Sequence, residues 1–98
     1  MINGINSREM ILEILLEIEE GEHSHVAIRN ALSKYQFLPK QDRAFITRVC
    51  EGTLEYRIQI DYIINSFSKV TVDKMKPAIR EILRSAVYQL KFMDRVPD

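Results

Sequence analysis

This 98-residue sequence has few of the residues that cross-link, bend or anchor a chain. Its single cysteine, Cys50, excludes an internal disulfide and a zinc site built from cysteine pairs. No apolar run exceeds three residues, far short of the ~20 that cross a bilayer. The amino terminus has no basic region followed by an apolar stretch, so we predict no signal peptide and expect a cytoplasmic protein without a membrane association.

Net charge is also absent, because 14 lysines and arginines balance 14 aspartates and glutamates. A chain-wide positive field of the kind that attracts nucleic acid is therefore excluded, although a local basic patch is not. The balance hides an asymmetry: residues 1–38 carry three basic and six acidic side chains, whereas residues 39–98 carry eleven and eight. A basic surface is expected in the second part.

Glycine and proline are scarce, at three residues each, which is too few for an all-β fold of many short strands. Apolar residues recur at helical spacing, so the sequence predicts an all-α fold of about five helices. The expected helices are 7–20 capped by Asn6, 25–36 capped by Ser24, 40–66 with a break near 57–59, a short turn at 72–75, and 77–93. The first helix is apolar around about two-thirds of its circumference, which predicts a position wedged between other helices. Gly52 indicates a close helix crossing.

No set of side chains in this sequence resembles a catalytic centre. Cys50 lies in an apolar stripe and is predicted to be a small buried hydrophobe. His23 and His25 are predicted to be solvated, since a metal site would need two further ligands. The three glycines are isolated and form no phosphate-binding loop. We therefore predict no catalytic residue, no metal and no cofactor in this chain.

The last helix suggests one surface that could bind a partner. Its apolar residues Ile79, Ile82, Leu83, Ala86, Leu90 and Met93 form a stripe that is expected to face the core. Opposite this stripe, within about 80° of each other on a helical wheel, lie Arg80, Arg84, Tyr88 and Lys91. Arginine suits phosphate contacts and tyrosine can stack on an unpaired base. A solvated face, an RNA contact and packing against another domain all remain open for this group.

A second and looser basic group lies on the third helix. It comprises Arg43, Arg48 and Arg57. Arg57 is expected to pair with Asp61 one helical turn later. Arg43 and Arg48 are therefore added to the candidate RNA contacts.

Short motifs in a fixed order give the chain a family resemblance. They are Asn-Ser-Arg-Glu at 6–9, Gln-Asp-Arg-Ala-Phe at 41–45, Glu-Gly-Thr-Leu at 51–54, Ile-Asp-Tyr-Ile-Ile at 60–64, Ile-Leu-Arg-Ser-Ala-Val-Tyr-Gln-Leu at 82–90 and Asp-Arg-Val-Pro-Asp at 94–98. From residue 6 onward the chain resembles a NusB-like domain, and more narrowly the N-terminal domain of the ribosomal RNA small subunit methyltransferase B family, also called Sun or Fmu. The alternative is a stand-alone NusB transcription antitermination factor.

The resemblance implies a NusB-like helical bundle that recognises RNA. In the full-length family members, a separate Rossmann-like domain binds S-adenosylmethionine and methylates C5 of a cytosine in 16S ribosomal RNA. That domain is absent here, so no catalytic residue is carried over. We expect residues 1–5 to be a disordered tail and 6–98 to be a truncated NusB-like RNA-binding domain that lacks its last helices.

Truncation would leave an apolar groove, from which we expect a homodimer. The expected partners are thus ribosomal RNA, the catalytic domain in cis and a second copy of the chain. A helical module that only docks on proteins is the remaining alternative.

Overall fold

The computed structural model describes residues 6–93, and every regular element in that range is helical. The five α-helices are α1 (Ser7–Glu19), α2 (Ser24–Lys34), α3 (Lys40–Glu55), α4 (Arg57–Phe67) and α5 (Pro77–Val87). A 3-10 turn at Val72–Lys74 precedes α5, and a π-helical turn at Tyr88–Phe92 continues it. The all-α prediction is confirmed. The predicted disordered tail at 1–5 and the motif at 94–98 lie outside the described residues.

Helix α1 is the centre of the bundle. Asn6 accepts a hydrogen bond from the Glu9 backbone N–H (2.9 Å), and the Glu9 carboxylate accepts one from the Asn6 N–H, which forms the predicted capping box. Just beyond the helix, Gly21 has a φ of 116°, a conformation that glycine adopts at little cost. The helix packs against α2, α3 and α5, so its wide apolar surface is wedged between neighbours as predicted.

Two helix boundaries differ slightly from the prediction. Ser24 begins α2 instead of capping it, because the extended His23 precedes it and the His23 carbonyl accepts the first bonds, from Val26 and Ala27. The break between α3 and α4 falls at Tyr56, one residue before the predicted 57–59. The buried stripe nevertheless continues across the break, from Val49 and Cys50 to Ile60 and Ile64.

Helix α5 is rotated relative to the predicted orientation. The stripe expected in the core is largely outside, with Ile79 50%, Ile82 49% and Leu90 76% exposed. The face expected in water holds the buried Arg84 and Tyr88. The orientation predicted from hydrophobic periodicity is therefore wrong. On the buried face, Arg80 and Arg84 pair with carboxylates of α1 and α4, while Val87 and Tyr88 supply the apolar contacts.

No helix within residues 6–93 combines the length and the apolar character that spanning a membrane requires.

Candidate nucleic-acid interface

Arg84 of α5 forms a bidentate ion pair with Asp61 of α4. Its Nε and Nη2 donate to Oδ1 and Oδ2 of Asp61, each at 2.8 Å, and its Nη1 donates to Oε2 of Glu81 at 2.8 Å. Helical spacing predicted that Asp61 would pair with Arg57, but Asp61 pairs with Arg84. Arg57 is exposed. Both edges of the Arg84 guanidinium are occupied inside the protein.

Arg80 makes the corresponding connection between α5 and α1. Its Nε donates to Oε2 of Glu19 at 3.1 Å and its Nη2 pairs with the other carboxylate oxygen. Its Nη1 donates to the backbone carbonyls of Val72 in the 3-10 turn (2.9 Å) and of Met75 just after it (3.1 Å). The hydrogen bonds from Arg80 lower the pKa of Glu19 to about 2 and raise the pKa of Arg80 itself.

Glu81 is the third carboxylate in this cluster and the most deeply buried, at 4% exposed. Burial raises its pKa to about 7, and the neighbouring Glu19 adds to the shift. The cluster of Glu19, Asp61, Arg80, Glu81 and Arg84 thus holds α1, α4 and α5 together, and we call it the ionic junction.

Tyr88 is 3% exposed and fills the space above Gly52. A Cβ at position 52 would lie 2.1 Å from Tyr88 Cζ, so the predicted close crossing at Gly52 is confirmed. The ring also stacks with those of Tyr56 and Phe92, at centroid distances of 6.2 and 6.5 Å. Its aromatic faces are used in packing.

The outward orientation predicted for Arg80, Arg84 and Tyr88 is therefore wrong, because Arg84 and Tyr88 are buried and the Arg80 side chain is 16% exposed. RNA contact through these three stays a prediction that would require their intramolecular contacts to open. Lys91 is exposed on the π-helical turn, and its contact with RNA stays a prediction.

The other two predicted contacts, Arg43 and Arg48, line a surface groove of about 590 Å³ along α3, which we call the α3 groove. Lys40 and Thr47 belong to the same wall, because positions 40, 43 and 47 share one helix face. Leu32 of α2 lies on one side, and Gly52, Tyr56 and Tyr88 complete the lining. Lys91 is not part of this lining.

Each arginine of the α3 groove is held in place by a backbone carbonyl. Arg43 Nη1 donates to the carbonyls of Leu32 (2.9 Å) and Tyr35 (3.3 Å) at the end of α2. Arg48 Nη2 donates to the carbonyl of Met93 at 3.0 Å. Since carbonyls carry no net charge, both guanidinium charges remain unneutralised by these bonds.

Charge is distributed unevenly along the α3 groove. The basic residues lie toward the start of α3, whereas Glu51 and Glu55 lie toward its end. Within residues 6–93, the ion pairs found involve Arg80 and Arg84, and none involves a groove side chain. Lys40 and Tyr56 were not among the residues predicted from the sequence. The one-turn spacing of Lys40 from Arg43 indicates a shared helix face, whereas Tyr56 joins the groove only through tertiary packing.

Cys50, His23 and His25 are the other reactive or metal-binding side chains that the sequence offered. Burial raises the pKa of the Cys50 thiol to about 12, so it is no nucleophile at neutral pH. His23 and His25 are exposed, with ring centroids 6.0 Å apart. Among residues 6–93, no three His, Cys, Asp or Glu side chains are grouped to hold a metal. The described residues, being wholly helical, do not fit an S-adenosylmethionine site of the Rossmann type, which needs a strand-to-helix turn.

Comparison with known proteins gives similarity along almost the whole chain. A probable ribosomal RNA small subunit methyltransferase B of Bacillus subtilis (strain 168) is 29% identical over 91 residues, covering 93% of this chain and 20% of that protein. The protein of the same name from Synechocystis sp. is 31% identical over 94 residues, covering 95% of this chain and 21% of the relative. This chain thus spans about one fifth of the length of these relatives.

Antitermination proteins are similar too. The transcription antitermination protein NusB of Listeria monocytogenes serotype 4a is 30% identical over 94 residues, which are 94% of this chain and 69% of the relative. No solved structure matches the chain significantly. The NusB family model matches residues 5–98. With its helical architecture, this match shows that the chain belongs to the NusB family.

Proposed function

We propose that this chain is the RNA-recognition module of a 16S ribosomal RNA (cytosine-C5) methyltransferase, without catalytic activity of its own and located in the cytoplasm. Its similarity to one fifth of two proteins named as ribosomal RNA methyltransferases supports this assignment. S-adenosylmethionine would then be bound by another part of the enzyme, which is where the methyl transfer takes place.

The observation that carries the proposal is the α3 groove. Lys40, Arg43 and Arg48 place three positive charges in its lining. The half-buried ring of Tyr56 lies in the same lining, with one face stacked on Phe92 at a centroid distance of 4.7 Å. Phosphate contacts from basic side chains supply most of the affinity for a nucleic acid, while aromatic rings accept unpaired bases. A groove that offers both suits a single-stranded segment of RNA.

Preorganisation strengthens this interface. The backbone carbonyls that hold Arg43 and Arg48 fix the two guanidinium groups at the groove wall before any ligand arrives. Less side-chain entropy is therefore lost on binding than with free surface lysines. Lys91, exposed on the π-helical turn, adds a contact outside the groove in this proposal.

The test is the salt dependence of RNA binding by single variants. Lys40→Ala is expected to weaken binding of a small-subunit ribosomal RNA transcript and to lower the slope of log affinity against log salt by about one. Lys69→Ala, on the exposed connector before α5, serves as the matched control and should change neither. Equal slopes for the wild type and Lys40→Ala would overturn the assignment of the α3 groove.

A stand-alone antitermination factor is the second candidate. It is favoured by the 30% identity to a NusB protein of which this chain covers 69%. The two candidates differ in their RNA. Preferential binding of an antitermination RNA element over the ribosomal transcript would support the second one.

A protein-docking role is supported by another surface. The outward stripe of α5 and the start of α1 enclose an apolar groove of about 560 Å³, which we call the α1–α5 groove. Its apolar lining is Ile11, Leu12, Ile82, Ala86 and Leu90. We propose that a second copy of the chain covers it in solution; in a methyltransferase, the catalytic domain would compete for it in cis.

A further inference from the structure

The ionic junction contains more acid than base. Glu19 of α1, Asp61 of α4 and Glu81 of α5 provide three carboxylates, and Arg80 and Arg84 provide two guanidinium groups. With every group ionised, these five side chains would carry one excess negative charge. An uncompensated charge is costly where water is excluded, so one carboxylate is expected to take up a proton.

The geometry identifies which carboxylate is least compensated. Asp61 receives two hydrogen bonds from Arg84, and Glu19 is bound at both oxygens by Arg80. Glu81 receives one hydrogen bond from a guanidinium whose other edge is already taken by Asp61. It is also the most buried of the three, with its side chain 5% exposed against 21% for Glu19 and 23% for Asp61.

We propose that Glu81 is protonated in the folded protein below neutral pH and donates its proton to the Glu19 carboxylate, so that the ionic junction is a proton-operated latch between α5 and α1. The charged groups that act on Glu81 come from each helix of the junction: Glu19 from α1, Asp61 from α4, and Arg80 and Arg84 from α5. With the proton in place, the five side chains sum to zero charge.

The two carboxyl pKa values move apart in the way that a shared proton requires. That of Glu81 rises to about 7 and that of Glu19 falls to about 2, and each carboxyl contributes to the shift of the other. In the unfolded chain both return to 4.5. Between pH 4.5 and 7 the folded state therefore binds the Glu81 proton more tightly, and stability falls as pH rises through this window.

Above neutral pH Glu81 loses this proton, and the Arg80–Glu19 pair remains as the link between α5 and α1. Ionised Glu81 then faces ionised Glu19 in the contact between α5 and α1, and their repulsion loosens this contact. Since α1 is the helix around which the bundle packs, the effect extends to the cooperative unfolding of the whole domain. Asp61 already neutralises Arg84, so charge pairing with Arg84 does not explain why a glutamate occupies buried position 81. A shared proton with Glu19 does explain it.

The first test needs no substitution. Side-chain carboxyl chemical shifts of the ¹³C-labelled protein, followed by NMR from pH 3 to 9, should show Glu81 titrating near neutrality, more than two pH units above the ordinary glutamate pKa of 4.5. Titration of Glu81 in the ordinary acidic range would overturn the proposal.

The second test compares the pH dependence of stability in two variants. Glu81→Gln keeps an acceptor for Arg84 and supplies a permanent donor to Glu19. The urea concentration at its unfolding midpoint should no longer fall as pH rises from 5 to 8. At pH 8 this midpoint should be higher than that of the wild type. Glu13→Gln, exposed on α1, should keep the wild-type slope. A Glu81→Gln profile parallel to the wild type would also overturn the latch.

Discussion

The Tyr88 ring lies against the backbone of Gly52, so closely that the two helices could not cross with any side chain at position 52. This contact joins the π-helical turn to α3 and forms part of the α3 groove. A single methyl group at position 52 would collide with the Tyr88 ring.

Gly52→Ala is expected to destabilise the protein by about 1–3 kcal/mol, because overpacking against Tyr88 outweighs the roughly 1 kcal/mol gained in helix propensity. The measurement is the free energy of urea unfolding. Tyr88→Leu, which lacks the contacting ring atoms, should relieve the clash, so the double variant should be less destabilised than the sum of the single ones. Strict additivity would contradict the contact.

Removing the Asp61 carboxylate should show how much its bidentate ion pair with Arg84 contributes to the free energy of unfolding. We expect Asp61→Asn to lower the free energy of unfolding by about 3 kcal/mol, since it leaves a buried guanidinium under-compensated. Arg57→Ala, which removes the partner suggested by helical spacing, should change stability by less than about 0.5 kcal/mol. The reverse order of these effects would show that Asp61 pairs within α4.

Acid should weaken the domain through Glu19. The pKa of Glu19 is about 2 in the folded protein and 4.5 in the unfolded chain, so its contribution is present above pH 4.5 and is lost as pH falls toward 2. Thermal unfolding in this range should show a steeper pH dependence in the wild type than in Glu19→Gln. Glu17→Gln, exposed on the same helix, is the control. The same pH dependence below pH 4.5 in the wild type and Glu19→Gln would show that the Glu19–Arg80 pair is not the cause of the acid destabilisation.

Self-association through the α1–α5 groove makes a fourth prediction. Light scattering over a range of protein concentrations should show a dimer that Ile82→Glu converts to a monomer, because a charge in an apolar contact is costly to bury. Ile58→Glu is the matched control, since Ile58 is exposed on α4 and lies outside this groove. A monomeric wild type at every concentration would count against the dimer.

Local sequence patterns predicted the helices well. Asn6 and Glu9 predicted the start of α1, Gly21 its end and Pro77 the start of α5, because capping groups and backbone preferences act over a few residues. The wide apolar surface of α1 and the close crossing at Gly52 could likewise be inferred from composition along one helix. The family resemblance also came from the sequence, through the order of its motifs.

The residue pattern is therefore sufficient to establish the helical architecture and the family. The rotation of α5 about its axis depends on how the helices pack. Periodicity placed Ile82 inside and Arg84 outside, yet carboxylates from positions 19 and 61 reverse that order by pairing with the arginines. The interface that we propose for RNA consequently lies on α3 instead of α5. The Arg80–Glu19 pair spans 61 positions of the chain and the Arg84–Asp61 pair spans 23. Both pairs form only once the helices have packed.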